Sequence, residues 1–428
     1  MNEVLAIQGG KKTIDEKYEN TVRRDRFTED DRKAIIAYMS ESNSLISYYG
    51  DEGLQKTYEK ELAAYFKKKY CILFNSGTNA ILAAYFALAL EPGDEVLVPD
   101  CSFFAVATPL LLLGINPVIV DCDPNLGLMD PNDLKRRITE KSKAVIVNHL
   151  CGHSVDLKRI SALCKQNNLK LIEDISLAFG AKYNNTLVGT EGDISCLSLG
   201  STKLLSGGQG GAFLTDNTEL YERAILLGCF GKRAYQNILN PFYRQFVGGS
   251  YGTNSRMHPL AIAMSYSRFS KSNELIEMRH ERYNMISFAL KQTGIINPPI
   301  TRKNVFRGSW HGFYATYEKK DYDVPIEIVV RALREEGLDV HHRAHYPMLH
   351  ELPMFSKQTD GRYGVKKNPF HTKICMKEEY TDTVAYNDKV ISFPLFLDEP
   401  LDLIQKYCDG IYKVANHFAE LERVNNYE

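Results

Sequence analysis

Little in the bulk composition of this chain is extreme, and what is scarce narrows the possibilities. With 52 basic against 53 acidic side chains the formal net charge is −1, so no global positive field exists to draw in nucleic acid or an anionic membrane. The expected partners are small molecules. The nine cysteines contain no CxxC pair, and thiols such as Cys71 sit inside apolar runs. An odd, scattered set argues against a disulfide framework and for a reducing compartment. Long hydrophobic runs are missing too. Ile81 to Leu90 and Ala105 to Ile115 are too short to span a bilayer, and Pro109 and Gly114 interrupt the second. The segment Met1 to Lys12 lacks the basic and apolar regions of a signal peptide. The expectation is a soluble, cytoplasmic protein with no membrane or nucleic-acid partner. There is no internal repeat and no low-complexity linker; the stretch Ser356 to Lys377 is the most loop-like.

At 428 residues the chain exceeds what one hydrophobic core usually serves, so two domains are expected. Residues 1–30 are polar and read as an N-terminal arm. Asp51 to Lys69 carries Leu54, Tyr58, Leu62 and Tyr65 at helical spacing. Short apolar strands then alternate with helices: Cys71 to Asn75, Glu95 to Pro99, Pro117 to Asp121, Lys143 to Asn148, Leu169 to Glu173, Asp193 to Ser198 and Ala212 to Thr215. Helices are expected at Gly77 to Leu90, Phe103 to Leu113 and Asp130 to Ile138. Continuous apolar strands separated by helices predict an α/β fold, a mostly parallel sheet covered on both faces, with ligands at the strands' carboxyl ends. From a long helical segment, Leu260 to Arg282, the alternation is lost, and a smaller α+β domain is expected. The boundaries read as 31–265 for the large domain and 266–428 for the small one.

Several motifs carry chemistry. Phe74-Asn75-Ser76-Gly77-Thr78 is a strand, a small-residue turn and a helix start, which serves either phosphate binding or close packing. Asp174 ends a hydrophobic strand and is either a helix cap or a buried counter-charge. Lys203 lies among Leu197, Leu199, Leu204 and Leu205, where desolvation gives a lysine the lowered pKa that Schiff-base chemistry needs. Ser198 precedes it and the cluster Gly207 to Gly211 follows. Together, a strand-end carboxylate, a Ser-x4-Lys and a glycine cluster are what an enzyme needs to hold pyridoxal phosphate, with the lysine on the aldehyde and the carboxylate facing the ring nitrogen. His149-x-Cys151-x-His153 has no second ligand pair, and no metal site is expected. Gly9 to Thr13 is not a P-loop, because Ala6 and Lys11 stand where its glycines belong. His341, His342, His345 and Tyr346 form a polar aromatic loop, read equally as substrate contact or solvent-exposed loop.

In order along the chain, these motifs resemble the DegT/StrS-type sugar aminotransferases, fold type I pyridoxal phosphate enzymes, from about residue 45 onward. The resemblance implies that Ser76-Gly77-Thr78 and Ser198 bind the cofactor phosphate and that Phe103, in Pro99-Asp100-Cys101-Ser102-Phe103, stacks on the pyridine ring. It implies that Asp174 meets the ring nitrogen and Lys203 forms the Schiff base. Gly252-Thr253-Asn254-Ser255-Arg256-Met257 is similar to a segment whose Asn254 reaches the neighbouring subunit's phosphate, implying a homodimer with shared active sites. Gly180 to Tyr183, Gly189 to Asp193, Tyr346 to His350 and Ser392 to Pro394 are similar to further family landmarks. Leu5 to Gly10 looks like the start of the cyclitol and aminohydroxybenzoate branch, which implies a specialised pathway.

The chain departs from the family pattern in three ways. Leu177 stands where Gln or His would meet the cofactor's phenolic oxygen, Gln209 replaces a Glu, and Leu197 and Leu199 replace Phe around Ser198. Relatives that carry out dehydration have His in place of the lysine, and Lys203 argues against that branch. The resemblance implies an aminotransferase moving an amino group from glutamate or glutamine to a keto-sugar or keto-cyclitol. The rivals are another pyridoxal phosphate reaction, such as elimination or dehydration, and a non-catalytic cofactor-binding partner subunit.

Overall fold

The computed structural model describes residues 4–15, 28–41, 53–229, 231–248, 252–319, 322–356 and 375–425. Part of the expected arm (16–27) and most of the loop-like stretch (357–374) lie outside the described residues. The alternating strands build a seven-stranded sheet in the order Tyr70–Phe74, Gly211–Thr215, Ile194–Ser198, Lys170–Asp174, Ser142–Asn148, Glu95–Pro99, Asn116–Val120. Gly211–Thr215 runs antiparallel to both neighbours, and the other pairings are parallel.

Both faces of this sheet are buried, which the two-residue strand period turns into two cores. Ile72, Phe74, Val96, Val98, Ala144 and Ile146 pack on one side against Ala80, Ala84 and Ile225. Leu97, Val145 and Val147 pack on the other against Ile160 and Cys164, while Cys71 and Leu73 meet Tyr58 and Leu62. A second, antiparallel sheet of four strands (Ile296–Asn297, Phe313–Tyr317, Val390–Phe393, His341–His342) lies beyond it. Its core joins Tyr283, Phe313, Phe393 and Leu403.

Two predicted helices are broken. Leu260 to Arg282 is Pro259–Ser270 followed by Ser272–Thr293, because Lys271 leaves helical geometry at φ −110°, ψ 13°. Phe103 to Leu113 is a short turn, Phe104–Val106, then Thr108–Leu113, with Pro109 suited to a new helix start rather than an interior. Residues 4–15 are docked rather than loose: Leu5 and Ile14 are buried in the smaller core, and the Ala6 and Thr13 amides donate to buried Glu336.

One buried ion pair anchors the strand that leads into the Ser76 turn. Arg233 donates from both terminal nitrogens to Glu59, at 2.7 and 2.8 Å, and Glu59 also accepts from the Leu73 amide at 2.8 Å. Removing one partner leaves a buried charge uncompensated. Glu59→Ala is expected to cost about 3–5 kcal/mol, read as a lower urea-unfolding midpoint; an unchanged midpoint would contradict this account.

Candidate active site

The carboxyl edge of the large sheet collects the chemistry. Gly211 pairs with both Phe74 and Ser198, so the turn after Phe74 and the end of Ile194–Ser198 converge there. The approach is too close for a side chain: a Cβ on Gly77 would lie 2.8 Å from the Ser198 Cβ, and one on Gly211 2.4 Å from the Ser76 carbonyl oxygen. Ser76 caps the helix Gly77–Ala87 by accepting from the Asn79 amide at 3.1 Å. The first amides of that helix have no acceptor within it, and its dipole favours an anion.

Ser76, Gly77, Thr78, Phe103, Asp174, Ser198 and Lys203 all line one cavity of about 480 Å³. Leu177 and Gln209 line it as well, so these two departures from the family pattern face the ligand space. Phe103 remains 45% exposed, with its ring 6.0 Å from Tyr346 in an edge-on arrangement. Asn254 is exposed and does not line the cavity of its own chain. Of the loop left open between substrate contact and solvent, His345 and Tyr346 line the cavity. His341 instead contacts Asp339, and His342 contacts the Asp388 carbonyl. The loop is held in place by His350, whose amide and ring Nδ1 both contact Asp100, at 2.9 and 2.6 Å.

Electrostatics fit a reactive amine. Burial lowers the Lys203 pKa to about 8, with Asp174 pulling it up and Arg279 pushing it down. Burial raises the Asp174 carboxyl above its usual range, opposed by hydrogen bonds from Ser176 and by the charge of Lys203. A positive ring nitrogen beside Asp174 would supply the counter-charge that this position lacks.

Glu173, one residue before Asp174, points the other way and has a structural task. Its carboxylate accepts from the Gly189, Glu191 and Gly192 amides at 2.8, 3.0 and 2.6 Å, and from His149 Nε2 at 3.0 Å. His149 Nδ1 accepts from the Val155 amide, which assigns the proton to Nε2. His153 donates to the Ser154 carbonyl and accepts from the Arg302 amide. Both imidazoles of the His-x-Cys-x-His stretch therefore serve the loop's own structure.

Residues without a local sequence signature complete the cavity. His311 Nε2 lies 3.3 Å from Lys203 Nζ, although 108 residues separate them in the chain. The available signal was the chain's one tryptophan beside a glycine: Trp310 (φ 43°) and Gly312 (φ 110°) bend the backbone around His311. Asn148 and Tyr314 also line the cavity.

A lysine whose amine is largely desolvated and a strand-end carboxylate line one cavity, with a helix start beside them for an anion, an arrangement that fits pyridoxal phosphate. A model of the DegT/DnrJ/EryC1/StrS aminotransferase family matches residues 28–377, and the chain belongs to that family of pyridoxal phosphate enzymes. It is 32% identical to the pleiotropic regulatory protein of Geobacillus stearothermophilus, over 85% of this chain and 90% of that one. It is 31% identical to UDP-2-acetamido-2-deoxy-3-oxo-D-glucuronate aminotransferase of Pseudomonas aeruginosa, over 68% and 76%. Among solved structures, DesV of S. venezuelae in complex with a ketimine intermediate superposes with a TM-score of 0.71 at 25% identity, covering 89% of this chain and 94% of that one.

Burial by itself raises the Glu173 carboxyl, but the His149 ring and the Gly192 and Gly189 amides outweigh it and hold the pKa below 4.5. A depressed carboxyl stabilises the fold above the unfolded-state value and loses that contribution as pH falls through the folded one. The stability gap between the native chain and Glu173→Gln should therefore be full at neutral pH and shrink below about pH 4.5. Urea midpoints across pH measure it, and a pH-independent gap would refute the assignment.

Proposed function

We propose that the chain transfers an amino group from glutamate or glutamine to a keto-sugar or keto-cyclitol, with Lys203 and Asp174 as the catalytic pair. The observation that carries this reading is that the two groups face one cavity whose rim holds the Ser76–Thr78 helix start and Ser198. The assigned activities of relatives support the acceptor class: the Pseudomonas protein is named for a keto-sugar acid, and a 24% identical relative from Micromonospora echinospora for glutamine and an inosose.

Pyridoxal phosphate supplies an aldehyde that condenses with amines and a pyridinium ring that takes up the electron pair left when a carbon–hydrogen bond ionises. Ser76, Gly77, Thr78 and Ser198 would hold its phosphate, and Phe103 would cover the ring. Lys203 is the residue that would carry the aldehyde, through an ε-amine that a pKa of about 8 keeps partly unprotonated at neutral pH. With a donor amine bound beside it, the Lys203 amine would be placed to remove the donor's α-proton and to hand a proton back on the same face. Asp174 holds the ring nitrogen's proton, in a position where burial makes the pairing strong. His311, in contact with the amine, orients it and shares its proton. In the second half, the keto acceptor takes the amine by the same steps reversed.

Asn254 is exposed on its own chain, which supports a homodimer in which it completes the partner's phosphate site. Exposed Tyr235, Leu239, Phe242 and Phe246 lie on a nearby segment and support the same reading. Nine unbridged, buried cysteines support a cytoplasmic setting, and among the described residues no helix is long and apolar enough to cross a membrane.

The test is the half-reaction. Mixed with glutamate or glutamine and no acceptor, the purified chain should lose its long-wavelength cofactor band as the pyridoxamine form appears. Lys203→Ala should slow this roughly a thousandfold or more while keeping fold and dimer. A stable band with every amine donor would support the scaffold reading instead. A second expectation follows from the lysine's burial: the rate at which cofactor-free protein captures pyridoxal phosphate should rise with pH to a plateau above about 8. A rate still climbing past pH 10 would mean an ordinary exposed lysine.

A further inference from the structure

The sheet order arranges the cavity floor in sequence across the strand ends. The Ser76 turn and Ser198 stand at one side, Asp174 on the next parallel strand, and Asn148 on the strand beyond, in direct register with Asp174. Asn148 lines the cavity yet is only 2% exposed. Its Nδ2 donates to the Cys101 carbonyl at 2.9 Å, while its Oδ1 is buried with no hydrogen-bond partner. An amide with an unmet carbonyl and a second N–H in a buried stretch of cavity wall costs free energy unless a ligand meets it.

On a pyridoxal ring the phosphate arm and the 3-oxygen project from opposite flanks of the axis joining the nitrogen to the aldehyde carbon. With phosphate at Ser76 and Ser198 and nitrogen at Asp174, the 3-oxygen falls on the side of Asn148. Leu177, also lining that cavity, has no polar side-chain atom to meet it. We propose that the Asn148 side-chain amide is the hydrogen-bond partner of the cofactor's 3-oxygen. The amide suits either protonation state: its second N–H donates to a phenolate, and Oδ1 accepts from a hydroxyl. Asn148 thereby positions the ring and helps set where the proton of the lysine–cofactor linkage resides. The other ionisable groups facing the ligand space are Asp174, Lys203, His311, Tyr314, His345 and Tyr346.

This assignment rests on Asp174 facing the ring nitrogen, and its test separates the two. Protein stripped of cofactor is reloaded with pyridoxal phosphate or with 3-deoxypyridoxal phosphate, which lacks only the oxygen in question, and both dissociation constants are measured. The native chain should prefer the natural cofactor, and Asn148→Val should shrink that preference about tenfold, the size of one hydrogen bond, with the analogue's affinity unchanged. An unaltered preference in a folded Asn148→Val overturns the proposal. Should that variant misfold, the near-isosteric Asn148→Asp serves. A carboxylate beside the 3-oxygen should raise the pH midpoint of the visible band by about one unit, and an unmoved midpoint overturns the proposal equally. A native chain that forms no coloured linkage would instead sink the Lys203–Asp174 reading.

Discussion

Keeping an amine out of water at the edge of a parallel sheet is unfavourable, and the active site is organised around that cost. Lys203 sits in the loop after Ile194–Ser198, between leucines that exclude solvent, and its proton affinity falls accordingly. Asp174 is close enough to moderate the effect, while Arg279, which does not line the main cavity, works against it with its guanidinium held by the Ser309 and Phe396 carbonyls. The result is an amine poised between charged and free forms near neutral pH, which a surface lysine is not.

Two adjacent carboxylates show how the strand period divides labour. Successive side chains of Lys170–Asp174 face opposite sides of the sheet, so Glu173 enters the protein and Asp174 the cavity. Glu173 gathers three amides from the loop at 189–192 together with His149, and so fixes the strand end on which Asp174 stands. The neighbouring strand repeats the pattern: His149, just past its end, turns inward to Glu173, and Asn148 faces the cavity. A tight structural anchor beside each functional side chain is what keeps the cavity wall in register.

Much of this was legible in the sequence wherever function coincides with a local pattern. Apolar strands ending in Asp174 and Ser198, and the lysine among leucines, followed from periodicity and neighbours alone. Asn148 ends an apolar strand just as Asp174 does, and the same logic applied to it would have found it. His311 was out of reach, since its partner is 108 residues away and only the tertiary fold brings them together. The break at Lys271 was equally hidden: no proline or glycine marks it, and hydrophobic residues continue across it.

Glu336 receives the Ala6 and Thr13 amides and the Lys413 ammonium, joining segments that lie more than 300 positions apart in the chain. Contacts of such separation form late, since the intervening polypeptide must first be ordered. The segment around Leu5 therefore has nowhere to dock until the helix Ile326–Glu335 and the following Glu336 are in place. The smaller layer is thus completed by two segments far apart in the chain, Leu5 to Ile14 and Leu401 to Asn416, whereas the core of the large sheet closes without either.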